Sequence, residues 1–176
     1  MTVIELDRWD DAVRTGLLEV GAMMGLEITL GAVSAEELHG MGGSYISLAG
    51  PDLALQIGIV STSAGCRSIA ASLLSLELDM AAELSDADVA DGVGEFVNVM
   101  AGVLKTQVQD TNAGMRLGLP MFIVGDVHSG NHVSMRRIDW RLGDHSCSAV
   151  LYFHECSAKP ESAEHRDRAT HPRRCA

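Results

Sequence analysis

Apolar positions along this chain change their period several times, and each change marks a predicted element. Val13, Leu17, Val20 and Met24 recur at i, i+4, i+7 and i+11, which predicts a helix over residues 9–24 with Gly25 placed to stop it. Ile28 and Leu30 alternate with their neighbours across 27–33 as in a strand. Residues 36–44 hold Gly40, Gly42 and Gly43 and predict a loop. That cluster is not followed by the Lys and helix of a phosphate-cradling loop, so it reads as a turn. Segments 45–49 and 53–62 predict a hairpin joined at Gly50-Pro51-Asp52, where the fixed φ of Pro51 suits the second turn position. A helix is predicted over 64–76, with Cys66, Ile69, Leu73 and Leu76 on its buried side. Residues 116–124 read as a strand broken by Pro120, which points to a sheet edge or a bulge. Val133 and Met135, then Ile138, Trp140 and Leu142, predict a strand with a phase slip near Arg136-Arg137; residues 149–154 complete the sheet after a turn at Gly143-Asp144.

The stretch that organises the rest is 85–109, which predicts a helix of roughly 22–24 residues. Ser85 is suited to the N-cap, because its hydroxyl can accept from an orphan backbone N–H, and Asp88 supplies the acidic half of a capping box. Asp86, Asp88 and Asp91 lie near the positive end of the helix dipole, where negative charge is favoured. At about 100° per residue, Val89, Val93, Phe96, Val97, Met100, Val103 and Leu104 share one broad face. Asp91, Glu95, Asn98 and Gly102 form a narrow stripe on the opposite side.

An exposed stripe is by default a solvated face. Two features set this one apart. Gly92, Gly94 and Gly102 each cost about 0.5–1 kcal/mol relative to Ala in a helix. A merely solvated face would more naturally carry Lys, Arg or Gln. Gly102, one turn past Asn98, leaves a notch where another backbone could approach closely.

The order of elements is helix, strands, helix, long helix, strands. It lacks the strict alternation of a doubly wound fold and predicts an α+β domain, a largely antiparallel sheet with long helices packed on it. The 176 residues suit one domain, expected over 1–155. Residues 156–176 lack large apolar side chains and are expected to form a disordered tail.

Charge narrows the partners. The chain is 47% hydrophobic with a formal charge of −11. The last 21 residues hold five Lys/Arg against three Asp/Glu, so the first 155 carry 8 basic and 21 acidic side chains. Such a field repels phosphate backbones, which argues against nucleic acid and anionic membrane. Without a signal-like opening or an 18-residue apolar run, a cytoplasmic protein is expected. Cys66, Cys147, Cys156 and Cys175 form no C-x-x-C pair and are expected to be free thiols, Cys66 as a small core residue.

Candidate chemistry is sparse. No G-x-S-x-G is present. His128 and His132 are spaced H-x3-H, but Ser129-Gly130-Asn131 between them read as loop, so no metal site is expected. Glu95 and Asn98 cannot form a self-contained active site, because a carboxamide has no useful basicity. Asn can nevertheless orient a water through its donor and acceptor groups. That suffices for phosphoryl transfer, where catalysis is mostly positioning and charge neutralisation.

Asp91-x-x-x-Glu95-x-x-Asn98, followed by x-x-x-Gly102, resembles the Asp/Ser-x3-Glu-x2-Asn signature of the chemotaxis phosphatases CheC, CheX and FliY. Pro120 looks like the proline that closes that signature, and Met24-Gly25-Leu26-Glu27 and the element order extend the likeness over most of residues 10–155. A second motif copy, carried by CheC-type members on their first helix, is missing. Glu19-Val20-Gly21-Ala22 has the carboxylate and no asparagine, so the chain resembles the CheX-like branch.

The resemblance implies a CheC-like fold and hydrolysis of the phospho-aspartate of a CheY-like receiver domain. The receiver would bring its own Mg²⁺ and an active-site lysine, and the protein would need no cofactor of its own. Glu95 would pair with that lysine, and Asn98 would hold the attacking water in line with phosphorus. Asp91 would be a charge on the docking face rather than a reacting group, and Gly102 the clearance for the partner. The CheX-like branch also implies a homodimer. The competing expectation is a non-catalytic receiver-binding or flagellar-switch module on the same scaffold, in which the asparagine would have no task.

Overall fold

The computed structural model describes residues 3–32, 41–50, 53–76, 78–108, 114–125, 127 and 133–154. Among the described residues three helices, α1 (Val3–Met24), α2 (Ser63–Leu73) and α3 (Asp86–Gln107), accompany seven strands. The strands are β1 (Ile28–Leu30), β2 (Gly42–Ala49), β3 (Ala54–Ser61), β4 (Arg116–Leu117), β5 (Met121–Val124), β6 (Val133–Leu142) and β7 (His145–His154). A short 3₁₀ turn, Leu78–Glu83, leads into α3. The sheet runs β1-β6-β7-β3-β2-β4, with β5 also on β2, and each pairing is antiparallel. The α+β expectation holds.

Side chains alternate across a strand, so each strand feeds two layers. Ile46 and Leu48 of β2, Leu55, Ile57 and Ile59 of β3, and Leu151 and Phe153 of β7 pack against the helices. Val13, Leu17 and Val20 of α1, Ile69 of α2, and Val93, Phe96, Val97, Met100 and Leu104 of α3 meet them. The Phe96 ring stacks on Trp140 of β6 with centroids 5.8 Å apart and planes 9° from parallel. On the other side of the sheet Met41, Tyr45, Val60, Val150 and Tyr152 form a second, smaller apolar cluster.

Several boundaries move. The first helix begins at Val3 rather than residue 9. Strand β2 begins at Gly42, inside the expected loop, because two glycines admit close neighbours on both sides. A Cβ on Gly43 would stand 2.0 Å from the Ile59 carbonyl oxygen, and one on Gly42 would stand 2.9 Å from that of Ile123. Helix α2 stops at Leu73 and the chain turns at Leu74 and Ser75, the latter at φ 53°. Leu76, expected on the buried side, is therefore exposed.

The expected phase slip in β6 is absent. Its ladder with β7 runs unbroken from Val133–His154 to Leu142–His145. Val133 packs on the helix-free cluster, whereas Ile138, Trp140 and Leu142 face the helices. The two ends of one regular strand serve different layers, and the sequence pattern changes parity for that reason. Pro51 and Asp52 of the hairpin turn, residues 36–40 of the expected loop, His128 and His132, and the tail 156–176 lie outside the described residues.

Candidate functional site

The site begins with how α3 is held. Ser85 is the N-cap: its Oγ accepts from the Asp88 N–H at 3.2 Å, and Asp88 Oδ2 accepts from the Ser85 N–H at 3.2 Å. The capping box read from the sequence is present. Arg67 of α2 donates to the Leu84 carbonyl and meets Asp86 Oδ1 at 2.9 Å, which ties the start of α3 to its neighbour.

Further along, the glycines divide by role. Gly92 is buried against α2, where a Cβ would stand 2.6 Å from the Ala70 Cβ. Gly94 lies under Pro120, whose Cβ would be 3.6 Å from a Cβ placed on the glycine. Among the described residues, nothing lies within 4 Å of a Cβ placed on Gly102. Two of the three glycines thus serve internal contacts, and the third leaves open space.

The face opposite the core carries the predicted stripe. Asp91 and Glu95 are exposed, and Asn98 and Gly102 are partly exposed. Asn98 Nδ2 lies 3.5 Å from Glu95 Oε2, at the long limit of a hydrogen bond, so the two side chains stand together and both remain available to a partner. All four predicted positions are brought into one line along the helix.

On α1, Val20 and Gly21 turn inward, the latter against Ile28, and the Glu19 carboxylate accepts from Gln107 Nε2 at 3.3 Å. Exposed Ala22 stands where a second asparagine would be needed. Among the described residues there is one stripe of this kind.

One flank of the stripe was not legible as a functional feature. Strands β4 and β5 both pair with β2, but not in one continuous register. Between the pairs Leu48–Leu117 and Tyr45–Met121, β2 uses two residues and the opposing segment uses three, Gly118, Leu119 and Pro120. This is a β-bulge at the sheet edge. The Gly118 N–H donates to the Ser47 carbonyl at 2.8 Å, Pro120 turns in toward Gly94, and Leu119 is left 89% exposed. Pro120 gave the sequence hint, since a proline in a strand favours an edge or a bulge.

Other chemistry recedes. Cys66 and Cys147 are buried free thiols, and burial pushes them up to about 11 and about 12. A thiol so raised is a poor nucleophile at neutral pH. Among the described residues no group of three or more His, Cys, Asp or Glu is arranged to hold a metal ion, and no helix is long and apolar enough to cross a membrane.

Comparison with known proteins gives the family and the fold. The family model described as "Chemotaxis phosphatase CheX" matches residues 44–138, more than half the chain and all of α3. The chain belongs to the CheX family. Among solved structures, a CheC-like chemotactic protein from Shewanella oneidensis MR-1 matches with TM-score 0.65 at 19% identity, covering 84% of this chain and 98% of that one. The chemotaxis protein CheX from Vibrio vulnificus matches with TM-score 0.66 at 16% identity, covering 83% and 96%. A chain of the CheX–CheY–BeF₃–Mg²⁺ complex from Borrelia burgdorferi matches with TM-score 0.63 at 20% identity, covering 85% of this chain and 97% of that one. No curated protein matches the sequence.

Proposed function

We propose that this protein hydrolyses the phospho-aspartate of a CheY-like receiver domain. The observation that carries the reading is the Glu95–Asn98 pair, displayed side by side on a helix whose opposite face is core. Membership of a phosphatase family supports it, as does the likeness to a CheX solved together with CheY, BeF₃ and Mg²⁺.

Asn98 orients the reaction. Its carbonyl oxygen accepts from a water and its Nδ2 donates to the same water or to the phosphoryl group, holding the nucleophile in line. The water oxygen bonds to phosphorus, the bond from phosphorus to the aspartyl oxygen breaks, and phosphate and a free carboxylate leave. No covalent intermediate on this chain is required. The receiver would hold Mg²⁺, which would supply neutralisation of phosphoryl charge. Glu95 pairs with the receiver lysine and sets the alignment, Asp91 adds negative charge beside it, and Gly102 gives the receiver backbone room to close.

In this reading residues 1–155 form the phosphatase domain, and the protein is a cytoplasmic homodimer. The test is phosphate release from CheY receivers charged with acetyl phosphate and Mg²⁺, with and without the full chain. Wild type accelerates loss, and Asn98→Ala lowers the rate ~10²-fold or more, about 3 kcal/mol. A wild type that never exceeds any receiver's own rate leaves only the receiver-binding or flagellar-switch module.

A further inference from the structure

The feature that the reading above leaves unused is the bulge beside the stripe. An exposed leucine is ordinary by itself. Leu119 is less ordinary, because the backbone spends an extra residue to put it there. The flanking strands are both tied to β2, and Gly118 is bonded to Ser47, so the segment is anchored on either side of the extrusion. Pro120 fixes φ within the bulge and packs toward Gly94, so Leu119 projects from a stiff bend. Bulges of this kind re-aim side chains and are common next to functional sites.

Position decides what Leu119 can meet. Gly94 and Asn98 are one helical turn apart and neighbours on the helix surface. Pro120 covers Gly94, and Leu119, its neighbour in the chain, is exposed. A protein that reaches Asn98 covers about 800 Å² of this chain, a patch far wider than one helical turn. A patch of that width around Asn98 has room to take in Leu119 as well. The two halves of the surface also differ in kind. Asp91 and Glu95 supply charge, which steers and aligns, whereas Leu119 supplies apolar area that leaves water on contact.

We infer that Leu119, extruded by the bulge at Gly118–Pro120, is an apolar docking anchor for the receiver domain engaged by the Glu95–Asn98 stripe. The inference rests on the proposed receiver reading and adds to it a specificity contact off the helix. The matching receiver surface presents an apolar depression to one side of its lysine, and receivers with a charged side chain there are poor substrates.

The experiment compares full-length wild type, Leu119→Ser and Leu119→Met, using CheY receivers in two states. The first is charged with acetyl phosphate and Mg²⁺ for steady-state phosphate release. The second is loaded with beryllofluoride and Mg²⁺ for equilibrium binding, which needs no turnover. Leu119→Ser raises KM and the binding Kd about tenfold, while kcat changes less than about threefold. Leu119→Met restores most of the affinity. Melting temperatures stay level across the three proteins, because an 89% exposed side chain contributes little to the fold. Unchanged KM and Kd in Leu119→Ser overturn the anchor while leaving the phosphatase standing. Binding weakened by the variant in a wild type that binds without hydrolysing sinks the phosphatase and keeps the anchor. A wild type that neither binds nor hydrolyses any receiver removes both.

Discussion

Gly92 of α3 lies flush against Ala70 of α2, so close that a Cβ on the glycine would fall 2.6 Å from the alanine Cβ and 2.7 Å from its Cα. Ten residues on, Gly102 looks into open space. The same substitution at these two positions has opposite signs. Gly92→Ala forces the helices apart and destabilises the fold by about 1–3 kcal/mol. Gly102→Ala meets nothing, regains helix propensity and stabilises by about 0.5–1 kcal/mol. Urea unfolding of both variants checks the pair. On the proposed reading Gly102→Ala also weakens receiver binding despite its greater stability, and tighter binding would count against a docking notch.

Glu95 and Asn98 separate by kinetics. Glu95→Gln keeps shape and removes charge, so it raises KM and makes the remaining activity less sensitive to salt. Asn98→Ala lowers kcat with little change in KM. Saturation curves at two ionic strengths decide it. If both substitutions change affinity alone, the asparagine has no part in the chemical step.

The buried thiols give a pH signature independent of function. Burial raises Cys66 to about 11 and Cys147 to about 12 from an ordinary value of 9.0. Below pH 9 both states hold these protons. Above pH 9 the unfolded chain releases them and the folded chain does not, so stability falls as pH rises from about 9 toward 11–12. The slope reaches about 1.4 kcal/mol per pH unit for each thiol. Unfolding curves between pH 8 and pH 11 measure it, and the Cys66→Ala, Cys147→Ala double variant flattens the decline. Peptide mapping after thiol labelling at pH 8 finds both residues unmodified until denaturant is added.

What could be read from the sequence follows from where the physics is local. Helix α3 was legible in full, because a cap, an acidic first turn and a regular apolar face are all encoded within 22 consecutive residues. The site stripe followed at once, since four positions on a regular helix have fixed relative angles. Helix α1 was legible only from residue 9 onward, and Leu76 was assigned inward because the turn at Ser75 leaves no mark on the apolar period. Strand β2 was shortened because Gly42 and Gly43 look like loop residues until the neighbouring strands are known. The parity change in β6 looked like a slip because a sequence records that apolar residues are buried and not which layer buries them. The bulge was half visible: Pro120 marked the break, but the count of two residues against three exists only between paired strands.

Helix α3 is seated at two notches, Ala70 in the gap of Gly92 and the Met100 thioether over Gly16 of α1. Each notch resists sliding along the axis and turning about it, much as two teeth fix a key in a lock. A surface built this way offers a fixed template with little ordering left to lose on contact. Adjustment during an encounter then falls to whatever meets it. Natural variants that retune the site would be expected as matched changes at positions such as 16, 70, 92 and 100, on the far side of the helix from the residues whose behaviour they alter.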